Sequence, residues 1–308
     1  VARILVTPRS LTQTPHAAVE RLRGEGHEIV YPPAGILPDE ATLAALVPGV
    51  DAWLAGVEPV SERVIAAADR LAVISRNGTG IDNLPLARLA ARGIEVRVAE
   101  GANAAGVAEL AVGLMFAALR HIPATDTGVK AGGWPRLRGR EIRGRTVGIV
   151  GCGAIGGEVA RLVAALGAVV IAFDPRRPAV AVPADRMAWV DLDGLFRTAD
   201  VISFHCPPPP DGQPLLDGAR IAAMRPGAVV VNTARAALVE ETALIAGLDA
   251  GTPSVYAADT FAEEPPASLR LAGHARVIAT SHIGGFTDES VDRATEAAVA
   301  NLLAVLGA

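Results

Sequence analysis

Cysteine is scarce in this chain of 308 residues: Cys152 and Cys206 are the only two, and neither sits in a metal-ligand spacing, so no metal site is expected. No signal peptide is visible, and the two features together make a reducing cytoplasm the expectation. There is no block of Lys and Arg, and the formal net charge is -5, which sets nucleic acid aside as a partner. Nor is there an apolar run of the roughly 20 residues that a membrane span needs. The most apolar helical stretch, 106–119, carries Glu109 and reads as a buried core helix. The four prolines at 207–210 make a stiff loop too short for a recognition tract.

Apolar residues are plentiful, at 51% against 20% charged, so the chain folds. Near 300 residues single hydrophobic cores stop growing, and two domains are expected. Short apolar runs alternate with longer amphipathic ones, the rhythm of βα units and parallel sheets. In the first part ARILVTP, HEIVYPP, DAWLAG, LAVISR and GIEVRV read as five strands, with helix patterns such as SERVIAAADR between them, and the unit ends near Ala99. A long apolar helix follows in AAGVAELAVGLMFAALRH. The stretch 122–145 is basic and Gly-rich with little periodicity, and is expected to be a loop or extended arm. From Thr146 a larger α/β unit begins, with strands in TVGIVG, AVVIAFD, ADVISFHC, GAVVVNTA, SVYAAD and ARVIATSH. The stretch after Thr287 is helical and is expected to return to the first unit.

TVGIVGCGAIGGEVARLVAALG holds Gly151, Gly153 and Gly156 in the spacing G-x-G-x-x-G. The bare motif is weak, but here a strand precedes it, a helix follows it, and the next strand ends in Asp174. Gly151 permits a tight turn, Gly153 lets the backbone approach a pyrophosphate, and Gly156 lets helix and strand pack closely. Ala154 and Ile155 open the helix whose N-terminus meets the phosphate charge. Asp174 would accept hydrogen bonds from the adenosine ribose and repel a 2′-phosphate, which favours NAD over NADP. His205 and Cys206, at the end of a later strand, are candidates to border the adenine.

In open α/β sheets ligands bind beyond the carboxyl ends of the strands. Three strand ends there deliver reactive groups: GAVVVNTAR gives Arg235, SVYAADTFAEEP gives Asp259 and Glu264, and ARVIATSH gives His282. The chemistry suits a 2-keto acid. Arginine presents a planar fork that holds a carboxylate by two parallel bonds. Histidine titrates near neutrality and suits proton transfer to a carbonyl oxygen. Taken singly, each residue has a bland reading as a surface charge or a loop; their placement on strand ends downstream of the glycine loop is what gives them weight.

RNGTGIDNLP, AGVAELAVGL, GIVGCGAIG, VVVNTARAALVEETAL, DTFAEEPP and SHIGGFT, in this order, resemble the D-isomer-specific 2-hydroxyacid dehydrogenases, and within them phosphoglycerate dehydrogenase-like members. The resemblance implies a Rossmann-type NAD-binding domain, residues 100–284, inserted into a smaller flavodoxin-like substrate domain formed by 1–99 and 285–308. It implies Arg235 orienting the substrate carboxylate, His282 as acid or base, and Glu264, rather than Glu263, as the partner of His282. Asn77, Gly78 and Thr79 would hold the carboxylate, with Asn103 near a hinge. Thr233, Ala234 and Asp259 would line the cofactor. It also implies a homodimer built on the nucleotide domain.

Two positions depart from the family pattern: Ala236 stands where Gly is usual, and Ser281 where Pro is usual. Arg76 matches a position that resembles a phosphate contact in phosphoglycerate dehydrogenases, with Arg136 as a second cation. The substrate is therefore expected to be D-3-phosphoglycerate or a similarly anionic hydroxy acid, with glyoxylate or hydroxypyruvate reduction as the alternative. An NAD(H)-sensing binding protein of the corepressor type is the rival of another class, and oxidation of a small anion such as formate or phosphite a further enzymatic one.

Overall fold

The structure is a computed structural model that describes residues 1–307; Ala308, the last residue of the expected substrate domain, lies outside the described residues. The described residues form two compact units, Val1–Asn103 with 287–307, and Ala104–Phe286.

The first unit holds a parallel sheet of β1 (Arg3–Val6), β2 (Glu28–Val30), β3 (Ala52–Ala55), β4 (Val73–Arg76) and β5 (Glu95–Val98), in the order β2-β1-β3-β4-β5. This is a doubly wound order with its switch point between β1 and β3. The central strands are covered on both faces, so they read as unbroken apolar runs without alternation: all four residues of β3 are buried. One face packs on Leu43, Val64, Ile65 and Leu89. The other packs on Val19 and Leu22 and on Ala298, Val299 and Leu302 of the final helix, Asp288–Leu306. Burying a Val or Leu side chain contributes about 1.5–3 kcal/mol, so this last helix is an integral part of the first core. Thr287 starts it by accepting the Ser290 N–H at 3.1 Å, and Asp288 and Glu289 complement the dipole of its first turn.

The second unit holds seven parallel strands: β6 (Thr146–Val150), β7 (Val169–Phe173), β8 (Met187–Trp189), β9 (Val201–Phe204), β10 (Val229–Asn232), β11 (Val255–Ala258) and β12 (Val277–Ala279), ordered β12-β11-β10-β9-β6-β7-β8. The crossover from β6 to β9 makes the crevice at which a Rossmann sheet takes a dinucleotide. The apolar helix Ala104–Leu119 lies in the core of one face beside Ala154–Ala165. The helices Leu192–Thr198, Gly218–Ala223 and Glu241–Ala250 cover the other.

Two elements differ from expectation. Residues 122–145 do not form a featureless arm: Ile122–Lys130 is a helix. Pro123 sits in its first turn, where a missing N–H costs nothing, and Asp126 pairs with Lys130 at 2.7 Å across one turn. None of its residues is buried, so no apolar stripe marks it in the sequence. The edge strand β8 is the other addition, and its three residues are too few to set a period.

Among the described residues no single helix is long and apolar enough to cross a membrane; the pair Ala104–Leu119 and Ile122–Lys130 passes jointly by composition but is bent by 64°. No cluster of three or more His, Cys, Asp or Glu able to hold a metal occurs among them.

Candidate active site

The glycine loop leaves β6 with Gly151 at φ +88°, the left-handed region that only glycine enters freely. A side chain there would also strike Cys206 and the His205 carbonyl, 2.7 and 2.8 Å from where its Cβ would lie. At Gly156 a Cβ would run into the Gly151 carbonyl oxygen, so loop and helix touch backbone to backbone. Gly153 differs: nothing lies within 4 Å of its would-be Cβ. It is the N-cap of Ala154–Ala165, and no side chain caps that end. A three-turn helix with uncapped N–H groups beside open space is the cradle a dinucleotide phosphate requires, so the residues present fit the cofactor.

Asp174, at the end of β7, is 6% exposed. Its carboxylate accepts from the Cys152 N–H and the Arg176 N–H, both at 2.9 Å, which ties the glycine loop to the second βα connection. The Arg176 side chain is 82% exposed and stands 3.8 Å away, within reach as a loose ion pair. His205 and Cys206 follow β9. The His205 Nε2 lies 2.8 Å from the Ser203 hydroxyl, and desolvation pushes its pKa down to about 3. Enclosure beside Asp174 pushes the thiols up, Cys152 to about 12 and Cys206 to about 11, so both stay protonated and unreactive.

On the other side of the crevice β10, β11 and β12 deliver the reactive set. The His282 Nδ1 lies 2.7 Å from Glu264 Oε2, and the two side chains are 47% and 38% exposed. The second Glu264 oxygen accepts the Phe261 N–H at 3.0 Å, which fixes the carboxylate from behind. Glu263, the neighbouring carboxylate, is exposed. His282 has φ +56°, an unfavourable conformation for a residue with a Cβ. What holds it there is Asp259. This carboxylate, 2% exposed, accepts from the Thr280 hydroxyl at 2.6 Å, the Ile283 N–H at 2.9 Å and the Gly284 N–H at 2.8 Å, bracketing the histidine on both sides. The resemblance places Asp259 beside the cofactor; in the structure its carboxylate is committed to the histidine loop.

Arg235 is positioned by a residue that the sequence reading does not single out. Asn232, buried at the end of β10, accepts from Ala234 N–H at 3.0 Å and donates to the Arg235 carbonyl at 2.9 Å and to the Tyr256 hydroxyl at 3.1 Å. A polar residue closing the apolar run VVVN is the available signal. Ala236 begins a 3₁₀ turn, Ala236–Leu238, with φ in the ordinary range, so the glycine usual there is not required. Thr233 lies beside them, its hydroxyl buried and without a hydrogen-bond partner among the described residues, as is that of Thr260.

In the first unit, Asn77, Gly78 and Thr79 follow β4. Gly78 has φ +154°, and Thr79 is exposed. Asn77 N–H donates to the Ala55 carbonyl at 2.9 Å, and the Gly78 carbonyl accepts from Ala99 at 3.0 Å, so the loop is pinned at its start. Asn103 keeps a buried Oδ1 without a partner among the described residues. Arg76, the expected phosphate contact, is engaged within its own unit. It is 5% exposed, and its Nε and Nη1 are spent on the carbonyl oxygens of Gly80, Ala55 and Gly56.

Comparison with known proteins bears on this arrangement. Residues 112–284 match the family model described as D-isomer specific 2-hydroxyacid dehydrogenase, NAD binding domain. A D-3-phosphoglycerate dehydrogenase of Mycobacterium tuberculosis is 39% identical over 274 residues, 88% of this chain but 52% of that protein, so the chain spans about half the length of that relative. A hydroxypyruvate reductase of Thermotoga maritima is 38% identical over 259 residues, 82% of this chain and 83% of the relative. Among solved structures, a protein of Thermus thermophilus superposes with a TM-score of 0.88 at 32% identity, covering 99% of this chain and 97% of that one. The NAD+-bound 3-phosphoglycerate dehydrogenase of Entamoeba histolytica gives 0.82 at 25% identity, covering 100% and 96%. The chain belongs to the D-isomer specific 2-hydroxyacid dehydrogenase family, and its second unit carries that family's NAD-binding domain.

Proposed function

We propose that the protein is an NAD-dependent dehydrogenase interconverting a D-2-hydroxy acid and its 2-keto acid. The observation that carries this reading is the His282–Glu264 pair at 2.7 Å, held on strand-end loops of the sheet that bears the glycine loop. With Nδ1 facing the Glu264 carboxylate, Nε2 is the nitrogen left to exchange a proton with the substrate oxygen: it donates in reduction and accepts in oxidation. Arg235 presents its guanidinium to the substrate carboxylate. Bound NAD supplies the hydride acceptor, or NADH the donor. Gly151, Gly153, Ala154, Ile155 and Gly156 would hold its pyrophosphate, Asp174 its adenosine ribose, His205 and Cys206 its adenine end, and Thr233 and Ala234 its nicotinamide end. Asn77, Gly78, Thr79 and Asn103 are proposed substrate contacts in the first unit, which takes the role of substrate domain.

The substrate is a small anionic 2-keto or 2-hydroxy acid. Relatives named phosphoglycerate dehydrogenase and hydroxypyruvate reductase support both substrates about equally. The internal engagement of Arg76 removes one reason to prefer the phosphorylated acid. A homodimer is supported by apolar side chains left exposed around one segment, with Trp134 at 81%, Ile122 at 51%, Leu137 at 50% and Val129 at 48%. A cytoplasmic location fits two thiols that stay reduced and unreactive.

The test is NADH oxidation by the purified protein with glyoxylate, hydroxypyruvate, phosphohydroxypyruvate and pyruvate. Turnover with at least one is expected. NADH binding with no turnover on any of them removes the reading and favours a sensing role.

A further inference from the structure

Three loops of the first unit leave the carboxyl ends of neighbouring strands: Thr7 after β1, Gly56 after β3, and 77–80 after β4. A buried polar knot joins them at the peptide of Gly56. The Gly56 N–H donates to Glu58 Oε1 at 2.9 Å and reaches the Thr7 hydroxyl at 3.3 Å. The Gly56 carbonyl accepts from Arg76 Nη1 and, at 3.3 Å, from Asn83 Nδ2. Asn83 also donates to the Glu58 carbonyl at 2.6 Å. The Thr7 hydroxyl bonds the Glu58 carboxyl and accepts from Trp53 Nε1 at 2.9 Å. Thr7, Trp53 and Glu58 are all 0% exposed. Burial pushes the Glu58 carboxyl above its ordinary range. A Cβ on Gly56 would lie 2.6 Å from Glu58 Oε2 and 3.0 Å from the Pro8 Cα, so only glycine fits at the centre.

Arg76 extends this knot to the next loop. Its Nη1 donates to Ala55 and Gly56 carbonyls on the β3 side, the first at 3.1 Å, and its Nε donates to the Gly80 carbonyl at 2.7 Å. One planar guanidinium therefore ties the far end of the bend 76–80 to the loop after β3. Lysine carries the same charge but cannot bridge carbonyls in two directions from a fixed plane.

We propose that Arg76 is a positioning residue that presets the backbone of 77–80 through the Gly56 knot, and that substrate phosphate is not its ligand. The proposal rests on the proposed function in one respect, the assignment of 77–79 to the substrate carboxylate. A loop tied through one guanidinium to the carbonyls of the β3 side enters the reaction already ordered, and its contribution falls on every keto acid alike.

The experiment compares wild type with Arg76→Lys on hydroxypyruvate and phosphohydroxypyruvate, a pair that differs by the phosphate. For both acids KM is expected to rise by the same factor, about tenfold, with NADH affinity unchanged. Hydrogen exchange of peptides covering 77–80 is expected to quicken while β1, β3 and β4 stay protected. A KM penalty confined to phosphohydroxypyruvate overturns the proposal, as does unchanged KM with unchanged exchange. Should wild type turn over neither acid, the functional reading falls, and exchange alone still decides the positioning role. Asn83→Ala, which removes the other donor to the Gly56 carbonyl and leaves Arg76 in place, is expected to give the same exchange pattern at smaller amplitude; protection equal to wild type counts against the knot.

Discussion

The two units each carry a glutamate at the carboxyl end of a parallel sheet, and they use it in opposite ways. In the first, Glu58 is buried and bonds the Gly56 N–H and the buried Thr7 hydroxyl, while the buried Arg76 beside it donates to loop carbonyls. In the second, Glu264 is exposed and paired with an exposed histidine, and the buried groups behind the site, Asp259 and Asn232, do the holding. A polar side chain at a strand end is thus not enough to mark chemistry. What separates the two roles is whether its hydrogen-bonding capacity is consumed by buried groups or left in part to a side chain that solvent can reach.

The sharpest way to break this contrast is His282→Ala. Removing the proton-exchanging group is expected to lower kcat about a thousandfold while leaving NADH affinity unchanged. Turnover near wild type would remove His282 from the reaction and with it the distinction between the units. Asp259→Ala comes next. Without its carboxylate the Ile283 and Gly284 amides lose their acceptor and the left-handed turn at His282 is released. A fall in kcat of about a hundredfold is expected, with Asp259→Asn, which keeps one acceptor oxygen, recovering part of it. If Asp259→Asn and Asp259→Ala are equally impaired, the negative charge matters more than the clamp.

The smallest effect concerns stability. His205 has its pKa depressed to about 3, so below pH 6.5 the unfolded chain takes up a proton that the folded chain refuses. Stability therefore falls as the pH drops from 6.5 toward 3, and His205 has no effect on it above that window. The linkage slope for this one proton is about 1.4 kcal/mol per pH unit. His205→Gln should flatten the acid limb of a Tm-versus-pH curve between pH 6.5 and 4. An unaltered limb would show that other groups set the acid sensitivity.

Much of this is legible in the sequence. Eleven of the strands are legible as short runs rich in apolar residues, the central ones such as β3 and β10 unbroken because parallel strands covered on both faces do not alternate. The glycine loop is legible from its neighbours. Other features are not, for physical reasons. Ile122–Lys130 has no buried face, so its helix leaves no hydrophobic period. The hydrogen-bond partners of Asp259 and Arg76 are not legible either, because a sequence gives the type of a side chain but not what lies across from it. The partners of Asp259 come 21 to 25 residues later, and Ala55 precedes Arg76 by 21. Long-range pairing of that kind has no periodic trace.

The return of the final helix to the first core carries a consequence for biosynthesis. Strands β1 to β5 leave the ribosome before the second unit, yet Ala298, Val299 and Leu302, which seal one face of their sheet, leave it after that unit. Of the two sheets, the one made earlier is enclosed later, and during the interval its apolar face is available to chaperones. The second unit, complete by Phe286, has no such wait.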